Sequence, residues 1–116
     1  MGVEKTILQE GTGPQPAAGQ QVVMGYTGWL KDTSKPDQKG KKFDSSYDRD
    51  PPTFQTRIGV GAVIKGWDEA VVTMKVGEKA RLDISSDYAY GNRAVGGNLI
   101  PANSSLIFDV ELIAIQ

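Results

Sequence analysis

The residue types that the chain lacks limit its chemistry as much as those it contains. Neither His nor Cys occurs among its 116 residues. The chain therefore has no Ser-His-Asp arrangement, no thiol nucleophile and few of the usual zinc ligands. Carboxylates such as Asp48, Asp50, Asp68 and Glu69 are scattered without the spacing of a calcium loop. The sequence predicts no metal site and no cofactor.

Two glycine motifs begin like nucleotide sites but do not complete the pattern. Gly59-Val60-Gly61 starts a dinucleotide fingerprint, but Ile64 stands where Gly or Ala is required. The segment from Gly61 to Gly66 has phosphate-loop spacing, but Trp67 occupies the place of the phosphate-binding Lys. We interpret both as coincidences in a chain with 14 glycines.

Aromatic side chains are the remaining candidates for a functional site. A solid core built from Tyr and Trp needs a hydrogen-bond partner for every buried O–H and N–H. An apolar cleft with a polar rim accommodates these groups more easily, and such clefts bind ligands. The aromatic residues that could converge on one cleft are Tyr26, Trp29, Phe43, Phe54, Trp67, Tyr88, Tyr90 and Phe108. An ordinary aromatic core is the alternative interpretation.

Length and charge narrow the class of protein further. A chain of this length fits one domain, which we expect over residues 1–116. Thirteen Lys and Arg against fourteen Asp and Glu give a net charge of −1, which argues against nucleic acid and anionic membranes as partners. Residues 1–20 lack the apolar run of a signal peptide, and no segment is long enough to span a membrane. A cytoplasmic monomer is expected.

The elements that must position the aromatic residues are mainly strands. Strict alternation of apolar and polar residues predicts strands at Ala80–Ile84 and Leu106–Leu112, each with one face on the core. Gln21–Leu30 is rich in β-branched and aromatic residues, while Val3–Leu8 and Thr53–Ile58 are weaker strand candidates.

One segment has helical periodicity. Ile64, Trp67, Val71 and Met74 share a helical face over roughly ten residues. Asp68 and Glu69 lie near its start, where carboxylates favour the helix dipole, and a helix-to-strand turn is expected at Gly77. The fold class is therefore α+β, with an antiparallel sheet of about five strands packed on one short helix.

Two long segments are predicted to be loops. Lys31–Lys42 holds five Lys and two Asp without apolar periodicity, which is typical of a solvated excursion. Ser86–Ser105 contains three Gly and one Pro, and a loop of this length in a small domain is usually functional.

Six short motifs in order resemble one family. They are Tyr26-Thr27-Gly28, Lys42-Phe43-Asp44-Ser45-Ser46, Val63-Ile64-Lys65-Gly66-Trp67-Asp68-Glu69, Gly77-Glu78-Lys79-Ala80, Tyr88-Ala89-Tyr90-Gly91 and Leu106–Leu112. The set is similar to the FKBP-type peptidyl-prolyl cis-trans isomerases, the immunophilins that bind tacrolimus and rapamycin, in their small single-domain form. The resemblance implies a twisted antiparallel sheet wrapped around one helix.

The resemblance also assigns a role to each expected pocket residue. Trp67 would form the floor, the Ile64 backbone N–H would donate to a ligand carbonyl, and Tyr90 would offer its hydroxyl. Asp44 would supply a polar edge held by Arg49 and Tyr26. The walls would be Tyr26, Phe43, Phe54, Val63, Ile64 and Phe108, with Leu99 and Ile100 as the outer lip. The Lys31–Lys42 segment is longer than the family's compact hairpin.

Three functional hypotheses follow from these residues. The first is an isomerase of X–Pro bonds in peptides and unfolded proteins, a reaction that needs neither His nor Cys. The second is a regulatory binding module that uses the same pocket and its loop rims, by analogy with the family's drug-dependent binding to calcineurin and to the TOR kinase. The third is a small β-rich domain with an aromatic core.

Overall fold

A six-stranded antiparallel sheet is the centre of the structure, a computed structural model that describes residues 2–97 and 99–116. Within those ranges the strands are β1 (Val3–Gln9), β2 (Gln21–Lys31), β3 (Lys39–Ser45), β4 (Phe54–Arg57), β5 (Lys79–Ile84) and β6 (Leu106–Ile115). Their order is β1-β5-β6-β2-β3, and β4 also pairs with β2, along its N-terminal half. The predicted α+β class is confirmed.

One face of the sheet, the inner face, packs against the α-helix of the described residues, α1 (Lys65–Val71). Alternation places one set of β5 and β6 side chains in the core, and these are Ala80, Leu82, Ile84, Leu106, Phe108, Val110 and Leu112. The helix contributes Trp67, Ala70 and Val71 to the same core. A Cβ added at Gly66 would lie 2.7 Å from the Ile84 side chain, so the glycine allows the helix to lie close to β5.

The helix is shorter than its apolar periodicity predicts. Ile64 is its N-cap, and regular helix ends at Val71. Thr73 and Met74 continue the turn through N–H bonds to the carbonyls three residues earlier, so Met74 still reaches the core. Gly77 then takes a φ of +93°, which confirms the predicted helix-to-strand turn.

The strand β3 corrects the prediction of a loop over Lys31–Lys42. Residues 39–42 belong to β3 and pair with the C-terminal half of β2. Their Lys and Gly residues show no alternation because β3 lies at the edge of the sheet, where side chains need not be buried. The backbone pairing with β2, which has no signature in local sequence, makes this segment a strand.

The rest of that predicted loop folds over the opposite face of the sheet, the outer face. Arg81 on β5 donates to the Asp37 carbonyl at 2.7 Å, so the β2–β3 connection crosses above β6. Lys39 pairs with Asp109 of β6 at 2.7 Å. Ile107, whose side chain alternates to this outer face, is fully buried. No helix in the described ranges is long and apolar enough to cross a membrane.

Candidate functional site

A cavity of about 490 Å³ lies between the inner face of the sheet and the start of α1. Strands β2, β3, β4 and β6 supply one side chain or two each, and the rest come from α1, the β4–α1 loop and the β5–β6 connection. The lining residues are Tyr26, Phe43, Asp44, Phe54, Ala62, Val63, Ile64, Trp67, Tyr90 and Phe108. The cavity is therefore mainly aromatic and aliphatic, with polar groups on Tyr26, Asp44 and Tyr90.

Trp67 forms the base of the cavity and is held by three other rings. Its indole centroid lies 5.1 Å from the Tyr26 ring, 5.3 Å from that of Phe108 and 5.9 Å from that of Phe54, each at an interplanar angle of 82°. Edge-to-face packing of this kind stabilises the rings in one arrangement. Trp67 is only 4% exposed, so almost all of the base is shielded from solvent.

A hydrogen-bonded network of three side chains forms the polar edge. The Tyr26 hydroxyl donates to Asp44 Oδ2 at 2.5 Å, and Arg49 Nη2 donates to the Tyr26 hydroxyl at 2.6 Å. Arg49 also pairs with the Asp44 carboxylate at 3.2 Å. Burial, followed by the hydrogen bond to Asp44, raises the pKa of Tyr26 above its ordinary value. The phenol therefore keeps its proton at neutral pH and holds Asp44 in place.

Several donors of the lining residues are unpaired within the described ranges, among them the buried Trp67 Nε1. The Tyr90 hydroxyl and the Ile64 backbone N–H make no hydrogen bond with any other described residue. Burial and the negative charge of Asp44 raise the pKa of Tyr90, so its hydroxyl stays a donor at neutral pH. A ligand with carbonyl oxygens could satisfy both donors, whereas a purely apolar ligand would leave them unpaired.

Nine of the twelve residues expected in the pocket line this cavity. Arg49 does not line it and contributes through its bonds to Tyr26 and Asp44. Leu99 also lies outside the lining and is 38% exposed.

Ile100, expected in the outer lip together with Leu99, is not among the residues that line the cavity, and its role in the lip stays a prediction. Ile100 is 4% exposed and packs in the hydrophobic core. Its backbone pairs with Val95 in an isolated antiparallel bridge.

Two aromatic residues of the wider set do not join the cavity. Trp29 belongs to the outer face and packs under the Lys39 ammonium group at 4.3 Å. Trp29 lies three residues after Tyr26 in the same strand. Because side chains alternate between the two faces with a period of two, the two residues lie on opposite faces of the sheet. Tyr88 lies beneath Lys65, at 4.5 Å from its ammonium nitrogen.

Ala62 lines the cavity but was not expected from the sequence. Its methyl group carries no chemistry and no periodicity, so only its proximity to Val63 and Ile64 could have indicated a role. For metals, the described residues bring together no group of three or more Asp or Glu side chains that could hold an ion.

Comparison with known proteins identifies the class to which this cleft belongs. Residues 13–113 match the family described as FKBP-type peptidyl-prolyl cis-trans isomerase. The chain is 62% identical over 116 residues to the Neurospora crassa "FK506-binding protein 1B", covering 100% of both chains. It is 53% identical to a Schizosaccharomyces pombe "Peptidyl-prolyl cis-trans isomerase", covering 100% of this chain and 96% of the other.

Solved structures agree with this assignment. The crystal structure of AtFKBP13 superposes with a TM-score of 0.87 at 37% identity, covering 98% of this chain and 93% of that one. A peptidyl-prolyl cis-trans isomerase from Pseudomonas syringae gives a TM-score of 0.80 at 39% identity, covering 98% of this chain and 75% of that one. The chain belongs to the FKBP-type peptidyl-prolyl cis-trans isomerase family, as the resemblance predicted. It is accordingly an isomerase of X–Pro bonds.

Proposed function

We propose that the aromatic cavity above Trp67 is where this isomerase rotates the X–Pro bond. The reacting bond in proline-containing peptides and unfolded proteins is a tertiary amide with a rotational barrier of about 18–20 kcal/mol. Uncatalysed exchange takes tens to hundreds of seconds. The enzyme has to lower this barrier without any covalent step.

The electronic structure of the amide explains how an apolar cavity can do so. A planar amide shares the nitrogen lone pair with the carbonyl and is strongly dipolar, whereas the twisted amide has lost this resonance and is less dipolar. A dry cavity therefore disfavours the planar ground state more than the transition state, which is a differential stabilisation. Each tenfold gain in rate requires about 1.36 kcal/mol of this preference.

The lining residues fit this mechanism with distinct roles. Trp67 is proposed to lie under the prolyl ring, with Tyr26, Phe54 and Phe108 around its sides. The free N–H of Ile64 is proposed to donate to a substrate carbonyl and so to fix the backbone on one side of the rotating bond. The Tyr90 hydroxyl and the Asp44 carboxylate form the polar rim, where the peptide leaves the cavity.

The observation that carries the proposal is the combination of volume and ring packing. The cavity volume of about 490 Å³ lies within the range of small-molecule sites. Six aromatic rings, including that of Tyr90, line the cavity, and Trp67 forms its base. A prolyl residue with its neighbours fits that size. A solid aromatic core, the third hypothesis above, is disfavoured because Trp67 borders an open cavity.

The same cavity is proposed to bind tacrolimus (FK506). Two relatives whose matches cover 100% and 97% of this chain bear the name FK506-binding protein. Rapamycin is also proposed as a ligand of this cavity, because the family that the sequence motifs resemble binds both drugs. Leu99, which is 38% exposed and was expected in the outer lip, would remain open to contact by a second protein. Calcineurin and the TOR kinase are the drug-dependent partners proposed.

The remaining sequence expectations belong to the same proposal. Residues 1–116 are proposed to act as one isomerase domain, as a monomer, in the cytoplasm. Similarity to relatives over 100% and 96% of their length supports the single domain. Sedimentation of the purified chain and imaging of a tagged copy test the other two statements.

A fluorescence titration combined with a rate measurement tests the proposal. Trp29→Phe leaves Trp67 as the remaining indole, because the chain has two Trp residues. Tacrolimus should change its emission with saturation, and the same drug should inhibit isomerisation of an X–Pro peptide at matching concentrations. A chain whose emission saturates but whose isomerisation rate stays at the uncatalysed value would instead be the regulatory binding module. An emission that does not change with the drug would contradict the site.

A further inference from the structure

One wall of the cavity is formed by a segment that is anchored at its two ends. This wall segment covers Gly59–Ile64, and its last three residues line the cavity. At the first end, the neighbouring Ile58 is fully buried and donates its N–H to the Gln20 carbonyl at 3.1 Å. At the other end, the Ile64 carbonyl accepts the N–H groups of Trp67 and Asp68. Both ends are therefore fixed by the core and by α1.

The middle of the wall segment has little support of its own. Gly59, Gly61 and Ala62 are exposed, and Val60 is 55% exposed. Among the described residues, no backbone group of residues 59–63 bonds to another backbone group outside regular elements. Gly59 and Gly61 both take a φ of +79°, a conformation that is easily left when nothing holds it. Val63 packs against the hydrophobic core, but no backbone pairing holds residues 59–63 in one shape.

Asp68 supplies the missing support. Its Oδ1 accepts the Gly59 N–H at 2.8 Å, and its Oδ2 accepts the Gly61 N–H at 2.7 Å. Both oxygens of one carboxylate are therefore used, on the two glycines with left-handed backbone. Hydrogen bonds to an ionised acceptor are about twice as strong as neutral ones. Since Asp68 lies one residue after Trp67, the side chain that holds the wall belongs to the helix that carries the base.

We propose that Asp68 is a positioning residue of this isomerase, which sets the wall segment at the distance from Trp67 that ligands require. The proposal rests on the proposed function of the cavity. Asp68 does not line the cavity, so it acts through Ala62, Val63 and the N–H of Ile64. Without it, the wall segment samples conformations in which the cavity is widened. The apparent affinity then falls by the fraction of chains with the wall in place.

The chemistry requires a carboxylate of this length. An Asn side chain has one acceptor oxygen and an amide NH2 group, so it satisfies one glycine N–H and opposes the other. A Glu side chain carries both acceptors but places them one methylene further from the helix. Asp68→Asn is therefore the substitution of choice, because it preserves shape and removes one of the two bonds.

Glu69→Gln is the matched control. Glu69 is the next residue of α1, is exposed, and makes no hydrogen bond or ion pair within the described ranges. Its substitution removes the same charge from the same helix. Steady-state isomerisation of an X–Pro peptide, tacrolimus binding and amide hydrogen exchange are measured on the wild-type chain and on both variants.

We expect Asp68→Asn to raise KM and the tacrolimus Kd together by about tenfold, with kcat changed less than about twofold. The amide protons of Gly59 and Gly61 should exchange faster in this variant. Glu69→Gln should leave all four quantities as in the wild-type chain. If Asp68 contributed to stability alone, Asp68→Asn would lower the unfolding midpoint. Its KM, measured at a temperature where the variant is fully folded, would then equal that of the wild-type chain.

The results separate this inference from the function on which it rests. Unchanged KM in Asp68→Asn, unchanged exchange at Gly59 and Gly61, or an equal effect of Glu69→Gln each overturns the role of Asp68. In those cases an active wild-type chain leaves the proposed function intact. Full activity of a Trp67→Ala variant contradicts the proposed function instead, whatever Asp68→Asn does.

Discussion

The two faces of the central sheet use the same strands for opposite purposes. On the inner face, Tyr26 of β2 and Phe108 of β6 border a cavity and contact Trp67. On the outer face, Thr27 and Asp109 of the same strands lie opposite each other, and Asp109 forms an ion pair with Lys39. One face leaves a hollow lined by rings, and the other is closed by a folded-back connection.

The two faces differ in which interactions stabilise the fold and in whether those interactions also form the site. Burial of apolar side chains contributes about 25 cal/mol per Å² on either face, whereas a partly exposed ion pair contributes about 0–1 kcal/mol. Substitutions on the inner face should therefore change both stability and activity. Those on the outer face should change stability alone, and by an amount that depends on whether an apolar or a charged side chain is altered.

Trp67→Ala should have the largest effect. Removing the indole deletes the base of the cavity and three ring contacts, at a cost of about 3–5 kcal/mol in the free energy of unfolding. We expect kcat/KM for an X–Pro peptide to fall by about two orders of magnitude. Denaturant titration and a peptide isomerisation assay measure the two quantities. Trp29→Ala is the matched control on the outer face, and an equal loss of activity there would contradict the assignment of faces.

Ile107→Ala should reduce stability without reducing activity. Its side chain is fully buried beneath the connection between β2 and β3, so a cavity forms on the outer face. We expect a loss of about 2–5 kcal/mol in the free energy of unfolding. The kcat/KM of the folded variant, measured well below its unfolding midpoint, should match that of the wild-type chain. A fall in kcat/KM of tenfold or more would mean that the two faces are coupled.

Asp44→Val should reduce activity with little change in stability. The carboxylate is 45% exposed as a side chain, so its ion pair with Arg49 contributes little to folding. The loss of the polar edge should lower tacrolimus affinity and kcat/KM by about fivefold to tenfold, as for one hydrogen bond. Isothermal titration and the peptide assay measure these changes. Unchanged affinity together with native circular dichroism would show that the carboxylate serves structure alone.

Lys39→Gln should have the smallest effect. The substitution removes the ion pair with Asp109 and the contact of the ammonium group with the Trp29 ring. We expect a loss of about 0.5–1 kcal/mol in the free energy of unfolding, smaller at high salt, and no change in kcat/KM. Lys41→Gln is the control, because Lys41 is exposed in the same strand and forms no ion pair within the described ranges. A loss that salt does not reduce would assign the effect to packing rather than charge.

Much of the candidate site could be predicted because its residues lie in short motifs. Trp67 and Ile64 are separated by less than one helical turn, and Phe43 and Asp44 are adjacent, so their relative positions follow from local backbone geometry. Ile100 packs in the hydrophobic core and its backbone bridges to Val95, and nothing in the local pattern indicates that pairing. Asp68 lies in the first turn of α1, as its expected interaction with the helix dipole requires, but the bonds of its carboxylate to Gly59 and Gly61 could not be predicted.

The sequence by itself determined the alternation of β5 and β6, the helical face that carries Trp67, and the absence of imidazole and thiol chemistry. These are local properties, set by side-chain spacing within a few residues. The tertiary structure alone decided that β3 is a strand, that the β2–β3 connection crosses β6, and that Asp68 reaches Gly59 and Gly61. Each depends on hydrogen bonds to a segment positioned by the rest of the fold, and periodicity within one segment carries no information about its neighbours in space.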